Sequence, residues 1–177
     1  MKHIASNEKQ KVQNIEDSDI LIVAGRGFKK KEDLILARQL ADELGGELAC
    51  TRPLIEAGWL EPRRQVGLSG RTVKPRLLIA CGVSGSVQFA AGMKSSEMIL
   101  SINNDPHAAI NQIANYSFIG DLYQIIPALL NFIRNGKGAK RIIGNHVEEI
   151  GDLELVLVGP GLPHGWFGSG FAPNQVE

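Results

Sequence analysis

The chain has 177 residues, of which 44% are hydrophobic and 21% charged, which suits one ordinary domain with a sizeable core. Its 19 Lys and Arg residues balance 19 Asp and Glu residues, so no net charge attracts nucleic acid or an anionic membrane. No apolar run approaches the roughly 18 to 20 residues of a membrane span, and the N-terminus lacks the apolar segment of a secretory leader.

These features predict a protein of a reducing, cytoplasmic compartment, with no nucleic-acid partner and no membrane insertion. Cys50 and Cys81 each follow an apolar stretch typical of a buried strand. Because paired cysteines are typical of secreted chains, we expect both thiols to be free. The lysine run at residues 29–31 is interpreted as a solvated loop or first helical turn rather than as a phosphate clamp.

The first half of the chain alternates short apolar strands with an amphipathic helix. Residues 1–18 are polar without a clear period, and residues 20–23 form an apolar run typical of a strand buried on both faces. Leucines and alanines recur at helical spacing over residues 36–44, and the following Gly45-Gly46 predicts the helix end. Residues 47–50 are predicted to form a second strand.

Three more strands and one long helix are predicted further on. The strands cover residues 77–80, 98–102 and 117–119, and an apolar stripe after Asp121 predicts the helix. Pro127 lies inside that stripe, which predicts a kink or two abutting helices. Strands that alternate with helices predict an α/β fold, a Rossmann-like parallel sheet with helices on both faces.

Small and polar residues follow four of the predicted strands. They are Gly25-Arg26-Gly27, Thr51-Arg52, residues 82–86 and Asn103. The carboxyl ends of parallel strands meet at one edge, where glycines let backbone N–H groups approach a phosphate. The residues therefore favour a nucleotide-binding domain.

The standard nucleotide, metal and catalytic signatures are absent from the sequence. No third glycine completes a dinucleotide fingerprint after Gly27, and the four histidines follow no metal-ligand spacing. Ser84 lies one glycine short of a nucleophile elbow, because Ser86 stands where that glycine is needed. We predict no catalytic residue and no metal ligand, and an NAD-dependent α/β enzyme remains an alternative.

Six strings in collinear order carry a family resemblance. They are A-G-R-G at residues 24–27, T-R-P-L-I-E-A-G-W at 51–59, Q-V-G-L-S-G-R-T-V-K-P-R-L at 65–77, G-V-S-G-S-V-Q-F-A-A-G-M at 82–93, I-N-N-D-P at 102–106 and G-D-L at 120–122. With them the chain resembles the FAD-binding domain of the alpha subunit of electron-transferring flavoproteins. The resemblance implies a heterodimeric electron carrier with FAD as cofactor, a beta subunit as partner, and an acyl-CoA-type or other dehydrogenase as electron donor.

The resemblance also implies which residues contact FAD. Arg26 matches an arginine near the diphosphate, Arg52 an arginine against the flavin ring, and Ser69 a position whose hydroxyl reaches flavin N5. Asn103 and Asp121 match residues that hold the adenosine end. The complete set of implied contacts is Arg26, Thr51, Arg52, Gln65, Val66, Gly67, Leu68, Ser69, Ser84, Gly85, Ser86, Val87, Gln88, Phe89, Asn103 and Asp121.

The sequence departs from the family pattern at several places. Phe89 stands where many relatives have a histidine that donates to the flavin, and Leu68 replaces a common glutamine. Only about 18 residues precede the domain, where the family has a whole N-terminal domain. We therefore expect an N-terminal extension (1–18), an FAD-binding domain (19–135) and an atypical tail (136–177). Such a chain is a natural short form, a split-gene product or a fragment, and an inactive fragment remains an alternative.

The tail is similar, more weakly, to a strand pair of cupin domains in some transcriptional regulators. About 40 residues cannot close a cupin barrel, so we interpret the tail as a structural appendage. His146 and His164 are the tail residues that suit a metal, and no metal site is predicted there.

Overall fold

The computed structural model describes residues 14–135 and the segments 141–143, 146–148 and 157–158. Within these ranges eight strands and five α-helices form in chain order. They are β1 (Ile20–Ala24), α1 (Leu34–Leu44), β2 (Glu47–Cys50), α2 (Arg52–Glu56), β3 (Leu77–Cys81), α3 (Val87–Met93), β4 (Met98–Asn103), α4 (Ile110–Ile113), β5 (Tyr116–Ile119), α5 (Leu122–Asn135), β6 (Arg141–Ile143), β7 (His146–Glu148) and β8 (Leu157–Val158).

Strands β1 to β5 form a parallel sheet in the order β2-β1-β3-β4-β5, and β8 pairs antiparallel with β5. This is a doubly wound order, in which the chain changes direction across the sheet between β1 and β3. The predicted α/β class and parallel sheet are confirmed. Strands β6 and β7 pair with each other in a separate antiparallel ladder.

Alternate residues of the central strands pack on opposite faces of the sheet. Ile22 belongs to a core cluster with side chains of α1 and α5, whereas Leu21 and Val23 belong to a second cluster with side chains of α3 and α4. Both faces are therefore covered by helices, as the continuous apolar runs predicted. Ile15, 3% exposed, joins the second cluster, so the core reaches N-terminal of residue 19.

Two local predictions about helices are resolved by the structure. Gly45 adopts a left-handed conformation (φ 71°), and the Gly46 N–H donates to the Ala41 carbonyl, so this pair ends α1 as predicted. Pro127 lies within the single helix α5 rather than between two helices. In the described part of the chain, no helix has both the length and the apolar character needed to cross a membrane.

The two cysteines are buried and free. Cys50 and Cys81 end the strands on either side of β1, and both are in register with Ala24. Two strand spacings separate their Cα atoms by roughly 10 Å, beyond the reach of a disulfide. Burial raises the pKa of each thiol to about 12, with Arg64 opposing this rise at Cys50.

Candidate functional site

A groove of about 1020 Å³ lies along the carboxyl edge of the parallel sheet. Residues that follow all five parallel strands line it, and examples are Thr51, Arg26, Gly82, Asn104 and Gly120. Ligand pockets commonly occupy roughly 300 to 1,000 Å³, so this groove is large. Because five strand ends span roughly 19 Å, its shape suits an elongated ligand.

The structure brings the predicted site residues together. All of them except Val87 line this groove. Val87 is the first residue of α3, and 82% of it is exposed to solvent outside the groove lining. The contacts of these residues with a cofactor stay predictions.

Several groove-lining residues are absent from the predicted contacts, among them Lys29 and Tyr123. Lys29 was interpreted as part of a solvated lysine run. In the structure Lys29 lines the groove, whereas Lys30 and Lys31 do not. Tyr123 belongs to the predicted helix, and no local pattern distinguishes a groove-lining tyrosine from one on a solvated face. Proximity of Lys29 to the buried end of β1 was the one available signal.

Close backbone contacts form the floor of the groove at the switch between β1 and β3. A Cβ on Gly25 would lie 2.5 Å from the Gly82 carbonyl oxygen, and one on Gly82 would lie 2.7 Å from the Cα of Gly27. Gly85 has a φ of 84°, and a Cβ there would lie 2.3 Å from the Ile110 nitrogen. The turns after β1 and β3 therefore require glycine, because any side chain would separate them.

The turn after β3 presents unused backbone donors. The N–H groups of residues 84–88 donate to no acceptor among the described residues. Ser86 caps α3, since its hydroxyl accepts from the Phe89 N–H at 3.2 Å. Of these five residues only Gly85 is buried, and all except Val87 line the groove. A run of free donors in a groove therefore indicates a site for an acceptor-rich, anionic group.

At the β2 end, Arg52 begins α2 at the rim of the groove. Its Nε donates to Glu56 Oε1 at 2.8 Å, and both side chains are more than 60% exposed. Such an exposed pair on one helix is weak, and four of the five guanidinium N–H groups have no partner among the described residues. The Thr51 hydroxyl makes no capping bond to α2. Both side chains can thus contact a ligand.

Ser69 is oriented by a neighbouring amide. Gln65, 8% exposed, donates from Nε2 to the Ser69 hydroxyl oxygen at 2.9 Å. The serine accepts in this bond, and no described group accepts its own hydrogen. The hydroxyl therefore keeps a proton to donate into the groove.

The loop that carries Ser69 rests directly on α3. A Cβ on Gly92 would lie 2.6 Å from the backbone of Gly67, and the Leu68 N–H donates to the Gln88 carbonyl at 2.9 Å. Gly92 therefore permits the helix to touch the loop backbone. The Leu68 side chain, 74% exposed, projects at the groove rim.

Asn103 and Asp121 both have structural bonds beside their place in the groove. Asn103 donates from Nδ2 to the Val83 carbonyl at 2.8 Å and accepts from the Asp105 N–H at 2.9 Å. Asp121 accepts from the Tyr123 N–H at 2.9 Å at the start of α5. Each thus holds a groove-lining turn in position.

Phe89 is 4% exposed and packs in the cluster beneath the groove. Its side chain lines the groove without offering a hydrogen-bond donor, as its residue type requires. Among the described residues, no group of three His, Cys, Asp or Glu side chains is arranged to hold a metal. The side chains of His146 and His164, and the cupin-like similarity of the tail, lie outside the described part.

Fold and groove together define a doubly wound α/β domain with a candidate nucleotide site at its switch point. Residues 14–94 match the sequence model of the family described as "Electron transfer flavoprotein FAD-binding domain". By this match and those to the relatives below, the domain belongs to the electron transfer flavoprotein alpha family.

Several curated relatives share this domain. The chain is 49% identical over 133 residues to the LctC subunit of lactate dehydrogenase (NAD(+),ferredoxin) from Acetobacterium woodii, covering 75% of this chain and 32% of that one. It is 41% identical over 132 residues to the electron transfer flavoprotein subunit alpha of Thermoanaerobacterium thermosaccharolyticum, covering 75% and 40%. A third relative, the acryloyl-CoA reductase electron transfer subunit beta of Anaerotignum propionicum, is 38% identical over 75% of this chain and 37% of its own length. The chain thus spans well under half the length of these relatives.

Proposed function

We propose that this chain binds FAD in the groove and acts as an electron-transfer subunit rather than as a stand-alone enzyme. The observation that carries the proposal is the set of N–H groups of Ser84, Gly85, Ser86 and Gln88, which have no acceptor among the described residues and lie in a groove that crosses all five parallel strand ends. An extended dinucleotide places a diphosphate between its two ring systems. The central turn after β3 offers donors for that diphosphate.

Charge supports the same assignment. Arg26 lines the groove and forms no ion pair with a described carboxylate. An exposed arginine without an ion-pair partner among the described residues, in the same groove as unpaired backbone donors, is suited to phosphate oxygens. The glycines of the floor let the ligand approach the backbone itself.

At the other end of the groove, Arg52, Ser69 and Thr51 would surround the flavin ring. Bound FAD supplies the capacity to take up and release electrons. The permanently charged guanidinium of Arg52 favours negative charge on a neighbouring ring, and the Ser69 hydroxyl, held in place by Gln65, donates a hydrogen bond. These residues therefore set the cofactor's position and its reduction potential.

A redox partner needs access to the ring end, and the rim at Arg52 and Leu68 is solvent-exposed. We place the partner subunit of the beta type and an acyl-CoA-type or other dehydrogenase at this side. The relatives support such a role, since they include an electron transfer subunit and a dehydrogenase subunit.

Cofactor content after gentle purification tests the proposal. The purified protein, alone or co-expressed with a beta-type subunit, should carry flavin absorbance, and released cofactor should be FAD by chromatography. Side-by-side titrations of the apoprotein with FAD and NAD should favour FAD. A colourless protein that rejects FAD with and without the subunit would contradict the proposal, and preferential NAD binding would favour the dehydrogenase alternative.

The variant R26Q sharpens this test. Losing charge-assisted hydrogen bonds, each worth about 1.5 to 3 kcal/mol, should weaken FAD binding about tenfold or more. R63Q is the matched control, because Arg63 pairs with Glu61 and does not line the groove. Equal affinities of R26Q and R63Q would remove Arg26 from the site.

A further inference from the structure

Tyr123 connects three parts of the chain that surround the groove. Its hydroxyl donates to Asp33 Oδ2 at 2.6 Å, just before α1, and accepts from the Lys29 N–H at 2.7 Å. The partners lie 90 and 94 residues away in sequence. Burial, followed by the bond to Asp33, raises the pKa of Tyr123 above its ordinary value, so the hydroxyl keeps its proton and continues to donate.

The ring of Tyr123 holds the same loop by two further contacts. The Lys29 ammonium lies 5.4 Å from the ring centroid, a cation–π distance. The Phe28 ring packs edge-on at a centroid distance of 6.3 Å. The loop after β1 is thus fixed at its far end by Tyr123 and at its near end by the Gly27 N–H, which donates to the Gly82 carbonyl at 2.9 Å.

This loop carries two cations into the groove. Arg26 and Lys29 both line it, and neither forms an ion pair with a described carboxylate. Ser84, Gly85, Ser86 and Gln88, whose N–H groups have no acceptor among the described residues, line the same groove from the turn after β3. The backbone donors after β3 have fixed positions. A diphosphate bound to them can also contact Arg26 and Lys29 only if the loop after β1 is held in place.

We infer that Tyr123 is a positioning residue for the diphosphate subsite: by binding Asp33 and the Lys29 N–H, its hydroxyl holds the loop that presents Arg26 and Lys29 to the ligand. The inference rests on the proposed function, because it assigns the subsite to an FAD diphosphate. It adds a residue that acts through the loop.

The variant Y123F tests the role of the hydroxyl. It keeps the ring and its contacts with Phe28 and Lys29, and removes both hydrogen bonds. The dissociation constant for FAD should rise about 3- to 10-fold, which corresponds to one or two net hydrogen bonds. Y116F is the matched control, because Tyr116 lies in β5 away from the groove lining, and its affinity should not change.

A double-mutant cycle separates positioning from a general loss of stability. In an R26Q/K29Q background the effect of Y123F on FAD affinity should shrink by at least half, because both positioned cations are already absent. An undiminished effect would overturn the inference. So would wild-type affinity in Y123F itself.

A second variant reaches the same contact from outside the groove. D33A removes the acceptor of the Tyr123 hydroxyl, and Asp33 makes no capping bond to α1. It should weaken FAD binding in the same direction as Y123F, with unchanged melting of the apoprotein. Wild-type affinity in D33A would count against the role of the hydroxyl bond.

The proposed function and the inference fail in different ways. If wild-type protein binds no FAD, the proposed function fails, and titration with inorganic pyrophosphate then decides the inference. Pyrophosphate binding that Y123F weakens and Y116F preserves would support a diphosphate subsite positioned by Tyr123. Pyrophosphate binding that is absent, or equal in both variants, would overturn it.

Discussion

The floor and the rim of the groove are built in opposite ways. The floor, formed by Gly25, Gly27, Gly82 and Gly85, consists of backbone in direct contact with backbone, where a Cβ would lie 2.3 to 2.7 Å from a neighbouring atom. The rim, formed by Arg52, Leu68 and Ser69, consists of side chains, of which Arg52 and Leu68 are mostly exposed. The floor sets the shape of the groove because it has no room for side chains, and the rim offers polar side chains to a ligand.

This difference predicts which substitutions should affect stability and which should affect ligand binding. Changes under or in the floor disturb packing and should lower the free energy of unfolding. Changes at the rim leave packing nearly intact and should alter the cofactor's affinity and reduction potential.

The buried strand ends beneath the floor give the largest expected effect. Burial raises the pKa of the Cys50 and Cys81 thiols from 9.0 to about 12. At pH 8 the thiolate fraction in the folded protein should therefore be about a thousandfold lower than in the unfolded chain. Thiol labelling should be very slow in buffer and fast in urea, and rapid labelling of folded protein would contradict the buried placement.

The same shift has a consequence for stability. Both thiols have a raised pKa in the folded state. Their stabilising contribution to the free energy of unfolding is therefore complete below pH 9.0 and is lost as the pH rises toward 12. Urea unfolding at pH 8 and pH 10 should show a lower midpoint at the higher pH. The double variant C50S/C81S should show a smaller decrease.

The floor itself is tested by G85A. A side chain there must adopt a φ of 84° and approach the Ile110 nitrogen to 2.3 Å, so we expect a loss of about 3 kcal/mol in the free energy of unfolding. G45A is the matched control, with a φ of 71° and no atom within 4 Å of the added Cβ, and it should lose about 1 kcal/mol. Equal losses in urea unfolding would show that the close approach is not needed.

At the rim, R52Q should change redox chemistry without changing stability. Removing the cation should lower the two-electron reduction potential of bound FAD by about 30 mV, equivalent to about 1.4 kcal/mol. Spectroelectrochemical titration measures this shift. R63Q, which changes an arginine outside the groove, should leave the potential unchanged, and a shared shift would indicate a general charge effect.

The smallest effect is expected for Ser69. S69A removes the donor into the groove and leaves the nearly buried Gln65 amide without its acceptor, at a cost of about 1 kcal/mol in FAD binding or stability. S69T restores the hydroxyl and should restore both. If S69T behaves like S69A in the FAD titration, the hydroxyl is not the group that matters.

Most of the sheet could be predicted from the sequence. The observed β1, β3 and β4 differ from the predicted strands by only one added residue each. The agreement is close because apolar runs bounded by glycine and polar turns are a strong local signal. The short helices α2, Arg52–Glu56, and α4, Ile110–Ile113, were missed, since four or five residues carry too little period to recognise. The long helix was predicted, but its continuity through Pro127 depends on how α5 packs along the sheet and α1.

The candidate site was proposed from several strings in collinear order, and all of its residues except Val87 line one groove. Lys29 and Tyr123 were not predicted because their contact joins residues 94 apart in the sequence. Gly92 was not predicted because glycine is needed there only where α3 touches the backbone of Gly67. Contacts of this kind depend on which loops close and which surfaces pack.

The sequence alone determined the α/β alternation, the glycine turns and the family, because these follow from local periodicity and from residue order. The tertiary structure decided the strand order, the meeting of the turns after β1 and β3, and the attachment of the Arg26 loop to Tyr123. Local patterns encode which segments are strands and helices, whereas the groove arises from packing between segments far apart in the chain.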